Sequence, residues 1–486
     1  MSGVLKDLQP SKVFEYFEVI SQIPRESGHE KAISDYMVKF AKELGLEVHQ
    51  DKAYNIYIKK PATQGYENVP GVILQGHLDM VCEKNKDTEH DFRTQGLDLY
   101  IEGDWIGARG TTLGADNGVA IAYQMAILAD KTLKHPAIEC LMTTDEERGM
   151  TGVAHLEPEH IQGKVLVNLD TEEEGEFLVS CAGGSKVYLS FPYERLATSP
   201  ESQFYKMTLN GLKGGHSGAE IHYERGNAHL LMGRVLDALR TEMSFELVSF
   251  EGGTKDNVIT RECEVVIALP KEKEALFQTI CEKFQVIFKA EYTPQDPDIN
   301  LTSEKVSQQG LAICEAAKNK LIDLLLVLPN GVMGYDQHIK GLVQTSLNLG
   351  IVKVEEDTIR LGLAIRSSVA SRKEELLNRL KAVARTFDVV FDVQGDYPAW
   401  QYHEHSRIRE LATSLYEEMY DKKPTVTAIH AGLECGFIAE KCPGLDMISI
   451  GPNLKHVHSP EEVASISSMA RVYEYLVKLL ETLIAY

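Results

Sequence analysis

Residues 71–79 read GVILQGHLD, an apolar run of strand length that stops on His77 and, two residues later, Asp79. Short apolar runs of this kind, bounded by turn residues, read as buried strands. Three more follow the same plan. AIECLMTT (137–144) is followed by Asp145, Glu146 and Glu147; KVLVNLD (164–170) ends on Asp170; LDMISIG (445–451) leads across a short loop to His456 and His458. Between the first two lies VAIAYQMAILAD (119–130), whose apolar spacing is helical. Strands alternating with helices predict an α/β layer with a mainly parallel central sheet flanked by helices. In open sheets of that class, sites form beyond the carboxyl ends of the strands. Four runs that end in histidine or carboxylate can therefore bring distant residues to one place, and no single motif has to carry the argument.

Working outward, Phe14, Phe17, Ile20 and Ile23 share one helical face, and Ile33, Met37, Phe40 and Leu44 another, with Pro24 between the two helices. Past CAGGSK (181–186) the texture changes. KVYLSFPY, FYKMTLNGL, ECEVVIALP, LVQTSLNLGIVKV and TIRLGLAIR alternate or nearly alternate, with helical stretches such as NAHLLMGRVLDALR between them. That pattern predicts an antiparallel α+β domain. KMTLNGLKG and QTSLNLGIVKV are faintly alike, which raises an internal duplication. From Tyr397 the α/β texture returns, with RIRELATSLYEEMY and a final helix from Ile466. The expected division is a catalytic domain at 1–183 and 400–486, interrupted by an inserted α+β lid at 184–399; 486 residues exceed what one core supports.

Seventy-two acidic against fifty basic residues give a net charge of −22. A surface this acidic argues against nucleic acid and against anionic membranes as partners. Eight cysteines without a C-x-x-C pair suggest reduced thiols. The opening MSGVLKDLQPSKVFEYF lacks a signal-peptide pattern, so a cytoplasmic location is expected.

Each candidate residue has a plain alternative. His77 and Asp79 fit a solvated pair at a loop as well as a metal-binding imidazole oriented by an acid. Asp116, in GTTLGADNG (110–118), fits a helix N-cap as well as a carboxylate that bridges two cations. Glu146 and Glu147 repel each other unless one faces a cation, which leaves the other free as a base; Glu172, Glu173 and Glu174 read as an acidic surface turn. Asp170 and His458 alone are loop residues. Jointly they make a mixed N/O ligand set for two divalent metals, zinc first and cobalt or manganese next. H-E-x-x-H is absent, and GGHSG (214–218) fails the nucleophile-elbow spacing at Ala219.

QGHLDMV, GTTLGADNG, TTDEE, NLDTEEEG, GGHSG and HVHSP, in this order along nearly the whole chain, resemble the zinc-dependent aminoacylase/carboxypeptidase/dipeptidase family. HAGLECG (430–436), CAGG and the length resemble its Xaa-His dipeptidase branch most. The resemblance implies hydrolysis of small peptides such as β-alanyl-histidine, with tripeptidase or N-acyl amino acid deacylase activity the alternatives and a non-catalytic peptide binder a further one. It implies His77 and Asp170 on one metal, Glu147 and His458 on the other, and Asp116 between them. Asp79 matches the acid behind His77, Glu146 the general base, and His216 the residue that meets the substrate carbonyl. Asn257, Arg366 and the backbone at Gly432 match substrate contacts, Arg366 toward the carboxylate. A homodimer is implied as well.

Overall fold

The computed structural model describes residues 3–307 and 310–486. The chain divides into two compact units: Met1–Cys181, Tyr402–Ala428 and Leu433–Tyr486 form the first, Ala182–Gln401 and Ile429–Gly432 the second.

The first unit is built on an eight-stranded sheet. Its spatial order is Glu47–Gln50, Ile56–Lys60, Ile138–Thr143, Val72–His77, Val165–Asn168, Asp446–Ser449, Glu176–Cys181, Thr425–Ile429. The four middle strands are mutually parallel. Glu47–Gln50 and Ile56–Lys60 run antiparallel at one margin, and Glu176–Cys181 pairs antiparallel at the other side of the parallel set. Val72–His77 and Val165–Asn168 are buried along their whole length, which is why they read as unbroken apolar runs rather than alternating ones.

Helices pack against this sheet. Ala115–Ala129 is buried almost all round, with Val119, Ala122, Tyr123 and Ala126 inside. Its Tyr123 hydroxyl donates to the Met469 carbonyl at 2.7 Å. Ile466–Thr482 buries Met469, Val472, Leu476 and Leu479 at helical spacing and starts on Ser465, whose side chain accepts from Ser468 N–H. Each fully buried Leu or Phe of this core is worth about 1.5–3 kcal/mol relative to exposure. Among the described residues, no helix is long and apolar enough to cross a membrane. All eight cysteines are free thiols.

The second unit is an antiparallel sheet with helices, and it holds the same topology twice. Ser202–Asn210, helix Ala228–Glu242, Glu246–Gly252, Cys263–Pro270, helix Glu274–Tyr292 and Asn300–Val306 form one β-α-β-β-α-β set. Gly183–Pro192, helix Glu315–Val327, Val343–Val354, Thr358–Ser367, helix Ala370–Phe387 and Val390–Tyr397 form the other. Within each set the fourth strand lies beside the first, then the third, then the second. The two second strands meet, pairing Glu251 with Lys353 and Gly252 with Val352. The first set is inserted after the first long strand of the second. KMTLNGLKG begins on a first strand, whereas QTSLNLGIVKV is a second strand, so those two segments are not equivalent. The duplication is one of topology.

Candidate metal centre

His77 is the last residue of a central strand and only 1 % exposed, which removes the solvated-pair reading. Its neighbour Gly76 is small for a reason: a Cβ there would run into Asn117 Oδ1 and stand 2.6 Å from Ala120 Cβ. That approach lets Asn117 accept the His77 N–H at 3.1 Å and donate to the Leu169 carbonyl at 2.8 Å. One side chain thus ties the start of the Ala115–Ala129 helix to two strand ends.

The two ring nitrogens of His77 face different groups. Nδ1 lies 3.4 Å from Asp79 Oδ1; Nε2 lies 3.1 Å from Asp116 Oδ1 and 3.5 Å from Asp170 Oδ1. Asp79 is fully buried and also accepts from Ser27 Oγ at 2.7 Å and from the backbone N–H groups of Glu146 and Glu147 at 3.1 and 3.3 Å. It therefore orients the imidazole and fixes the Glu146–Glu147 turn at once.

Asp116 does not cap its helix. Gly114 occupies the N-cap position at φ +65°, and Asp116 has non-helical backbone angles. Its carboxylate is split: Oδ1 faces His77, and Oδ2 faces His458 Nε2 at 3.2 Å. His458 Nε2 also lies 3.0 Å from the Glu147 carboxylate. Two sets of ligand atoms result, His77/Asp116/Asp170 and Asp116/Glu147/His458, each with all atoms within 4.8 Å of one another. Glu146 stands within the same distance of His77 and Glu147.

This donor set fits cations. Tetrahedral bonds of about 2.0–2.1 Å place neighbouring ligand atoms ~3.3 Å apart, and the contacts above span 3.0–3.5 Å. The charges agree. Burial drives the Glu146 carboxyl well up, against His77 and with the help of Asp170, Glu434 and Glu147. Burial pushes Asp170 up to about 6, against the pull of His77. His458, hydrogen-bonded to Asp116 and Glu147, is pushed up to about 11. Five carboxylates (Asp79, Asp116, Glu146, Glu147, Asp170) meet two imidazoles here, so the place lacks positive charge that divalent ions supply.

The remaining candidates belong to the second unit. His216 ring Nδ1 accepts from the Gly218 and Ala219 N–H groups at 3.3 and 3.1 Å. Burial and the charge of Arg366 lower its pKa, which favours the uncharged ring, and the two N–H groups on Nδ1 leave Nε2 as the place for its proton. That Nε2 lies 3.4 Å from Arg366 Nη2. Two donors aimed at one point call for a shared acceptor. Arg366 Nη1 also donates to the Tyr397 hydroxyl at 3.1 Å, while its Nε is buried with no partner among the described residues. Asn257 accepts the Ser217 N–H on its backbone carbonyl at 2.9 Å, and its residue lines, with Arg366, Tyr397 and Lys186, a cavity of about 390 Å³. Gly432 ends the Ile429–Gly432 stretch, which Ala182 N–H anchors through the Ile429 and Ala431 carbonyls.

Residues 73–482 match the model of peptidase family M20/M25/M40. The chain belongs to that family. As an M20 peptidase it shares 39 % identity over 477 residues with the cytosol non-specific dipeptidase of Escherichia coli K12, covering 98 % of each. The crystal structure of aminoacylhistidine dipeptidase from Vibrio alginolyticus is 40 % identical, with 98 % of this chain and 97 % of that one covered and a TM-score of 0.93. An aminopeptidase from Bacillus cereus, 17 % identical over 98 % of this chain and 99 % of its own, shares the fold at a TM-score of 0.57. M20 membership and the ligand geometry together imply divalent metal ions.

Several residues that hold this M20 centre went unread in the sequence. Glu462 accepts four successive backbone N–H groups, from Leu113 to Asp116. Arg25 donates to the Leu78, Asp79 and Gly114 carbonyls. Glu434 is buried and accepts from Gln75 and Thr143, each at 2.6 Å; burial pushes it up to about 7. It lies inside HAGLECG, so the motif was visible but its acid was not singled out. Glu174 was grouped with a surface turn, yet it forms a two-pronged pair with Arg471 at 2.7 Å.

Proposed function

We propose that this chain is a dipeptidase that uses two divalent metals, zinc first among them, to hydrolyse dipeptides, with Xaa-His substrates such as β-alanyl-histidine preferred. The carrying observation is the split carboxylate of Asp116, one oxygen turned to His77 and the other to His458. The names of the two relatives near 40 % identity, both dipeptidases, support the reaction class. The E. coli relative's name also supports residence in the cytosol. By resemblance the chain is a homodimer, which sedimentation would read as twice the chain's mass.

In this reading His77, Asp170 and Asp116 would hold one metal, and Asp116, Glu147 and His458 the other. Bound there, divalent cations would supply Lewis acidity to the scissile carbonyl and to the attacking water. Glu146 takes the proton of that water and passes it to the leaving amine. Asp79 keeps His77 in its orientation. By resemblance, His216 meets the carbonyl oxygen as negative charge develops. Arg366 binds the substrate's free carboxylate, which restricts the enzyme to short peptides. Asn257 and the Gly432 backbone complete the grip.

The direct test assays Xaa-His dipeptides, other dipeptides, tripeptides and N-acyl amino acids side by side, before and after chelation. Dipeptide hydrolysis lost on chelation and restored by zinc is expected. Tripeptides or N-acyl amino acids turned over faster than every dipeptide would overturn the reading. Asp116→Ala is expected to weaken metal binding by at least about 100-fold, since even outer-shell partners are worth ~10–100-fold; elemental analysis of the purified variant checks it, and two retained metals would contradict the bridging role. Arg366→Lys is expected to raise KM for dipeptides about 10- to 100-fold, the worth of a charge-assisted contact. Dipeptide amides, which lack the carboxylate, should show no such penalty; an equal loss on both substrates would exclude carboxylate binding.

A further inference from the structure

The first unit carries a second group of two imidazoles and a carboxylate that shares no residue with the centre at Asp116. His49 is the third residue of Glu47–Gln50, the terminal strand of the eight-stranded sheet. Glu157 and His160 come from the 3₁₀ turn Pro158–His160, Glu157 as its N-cap and His160 as its last residue. Glu157 and His160 lie three residues apart across this one turn.

Both imidazoles approach one carboxylate oxygen. His49 Nε2 is 2.8 Å from Glu157 Oε2, and His160 Nε2 is 3.5 Å from the same oxygen. The imidazoles stack with centroids 3.9 Å apart and planes 22° from parallel. Ligand atoms of all three lie within 4.8 Å of one another. The side chains are 39 %, 33 % and 33 % exposed for His49, Glu157 and His160, so solvent ions reach them.

The scaffold beneath them is fixed. Tyr57 stands opposite His49 in the strand ladder. Its hydroxyl accepts the Glu157 N–H at 2.8 Å and donates to Asp51 Oδ2 at 3.1 Å. Asp51 is itself held by the Asn55 side chain at 2.7 Å. The turn that carries Glu157 and His160 is thus pinned to the ladder that carries His49, and the three ligand atoms are placed without a long flexible connection. Two imidazoles competing for one carboxylate oxygen satisfy each other poorly. A cation accepted by all three resolves the competition.

We propose that His49 Nε2, His160 Nε2 and Glu157 Oε2 form a peripheral site for one divalent transition metal of the zinc class, with water completing the coordination. Two imidazoles and one carboxylate are a borderline donor set, suited to zinc over magnesium or calcium. The observed separations of 2.8 and 3.5 Å bracket the ~3.3 Å that tetrahedral bonds require. Occupied, the site clips the terminal strand of the sheet to the turn that leads toward Val165–Asn168.

Calorimetric titration of zinc ions into the chelator-stripped, full-length protein tests this. The wild type is expected to take up one equivalent more than His49→Gln, His160→Gln or Glu157→Gln, each of which should lose the same equivalent. Dipeptide turnover in the zinc-loaded variants should match wild type. Asp116→Ala should keep the peripheral equivalent, which separates this site from the one in the proposed mechanism. Equal stoichiometry in wild type and any one of the three variants overturns the proposal, as does loss of the equivalent in Asp116→Ala alone.

Discussion

Glu146→Gln is expected to lower turnover of every dipeptide substrate by about 100- to 10,000-fold, the usual worth of a positioned general base, while metal content stays at the wild-type value. Two adjacent acids occupy the turn after Ile138–Thr143, and the structure separates them. Glu147 is engaged with His458 at 3.0 Å. Among the described residues, no hydrogen bond or ion pair reaches the Glu146 carboxylate. Its backbone N–H is fixed by Asp79, so the side chain stands in a defined place with free oxygens. Burial and neighbouring acids raise its proton affinity, which suits a group that must take a proton and give it up again. The amide keeps the volume and loses the basic oxygen. Steady-state kinetics alongside elemental analysis read the result. Loss of metal with loss of activity would make Glu146 a ligand, and unchanged kcat would remove it from the reaction.

What the sequence could show, and what it hid, follows from where each group finds its partner. Val72–His77 is flanked by parallel strands and buried on both faces, so it is largely apolar and conspicuous, and the histidine at its end stands out against that run. Glu47–Gln50 is a short, half-exposed edge strand with no such contrast, and it was not read as a strand. His77, Asp116, Glu147, Asp170 and His458 were legible because histidines and carboxylates stand out where they close apolar runs or sit in the short loops and turns beside them. Glu462 and Arg25 were not, because their partners are backbone amides and carbonyls far along the chain, and backbone carries no residue-specific signal. The doubled topology of the second unit was hidden for a related reason. Topology is fixed by strand order and connection, and the two halves satisfy it with different residues. Asp116 shows the limit of local reading: GADNG suits a helix cap, and only the left-handed Gly114 and the loop around it turn the carboxylate away from the helix.

That loop carries the second large effect: Glu462→Ala is expected to destabilise the first unit by about 3–5 kcal/mol, the range for removing one partner from a buried charged network. Glu462 is 2 % exposed. Its Oε2 accepts from Leu113 and Gly114 N–H at 2.8 Å each, and its Oε1 from Ala115 and Asp116 N–H at 2.8 and 3.3 Å. Alanine leaves those four donors facing no acceptor, and a buried unpaired polar group costs about 1–3 kcal/mol before relaxation. Arg25 grips the same loop from the other side, through the Gly114 carbonyl at 2.5 Å. Burial lowers the Arg25 pKa, and Glu462 is the largest charge opposing that shift, so the variant also strands a buried cation. For a unit of this size the loss corresponds to a fall in Tm on the order of 10 °C. Glu462→Gln keeps the volume and one acceptor oxygen but turns an N–H₂ group toward two donors, so it should lose a large part of the same stability. Because Asp116 N–H is one of the four, metal affinity should fall together with Tm in both variants. Calorimetric melting with and without added zinc separates the two effects: a normal Tm in metal-free Glu462→Ala would show that the loop holds its shape without the cradle, and the account of how Asp116 is aimed at both histidines would fail.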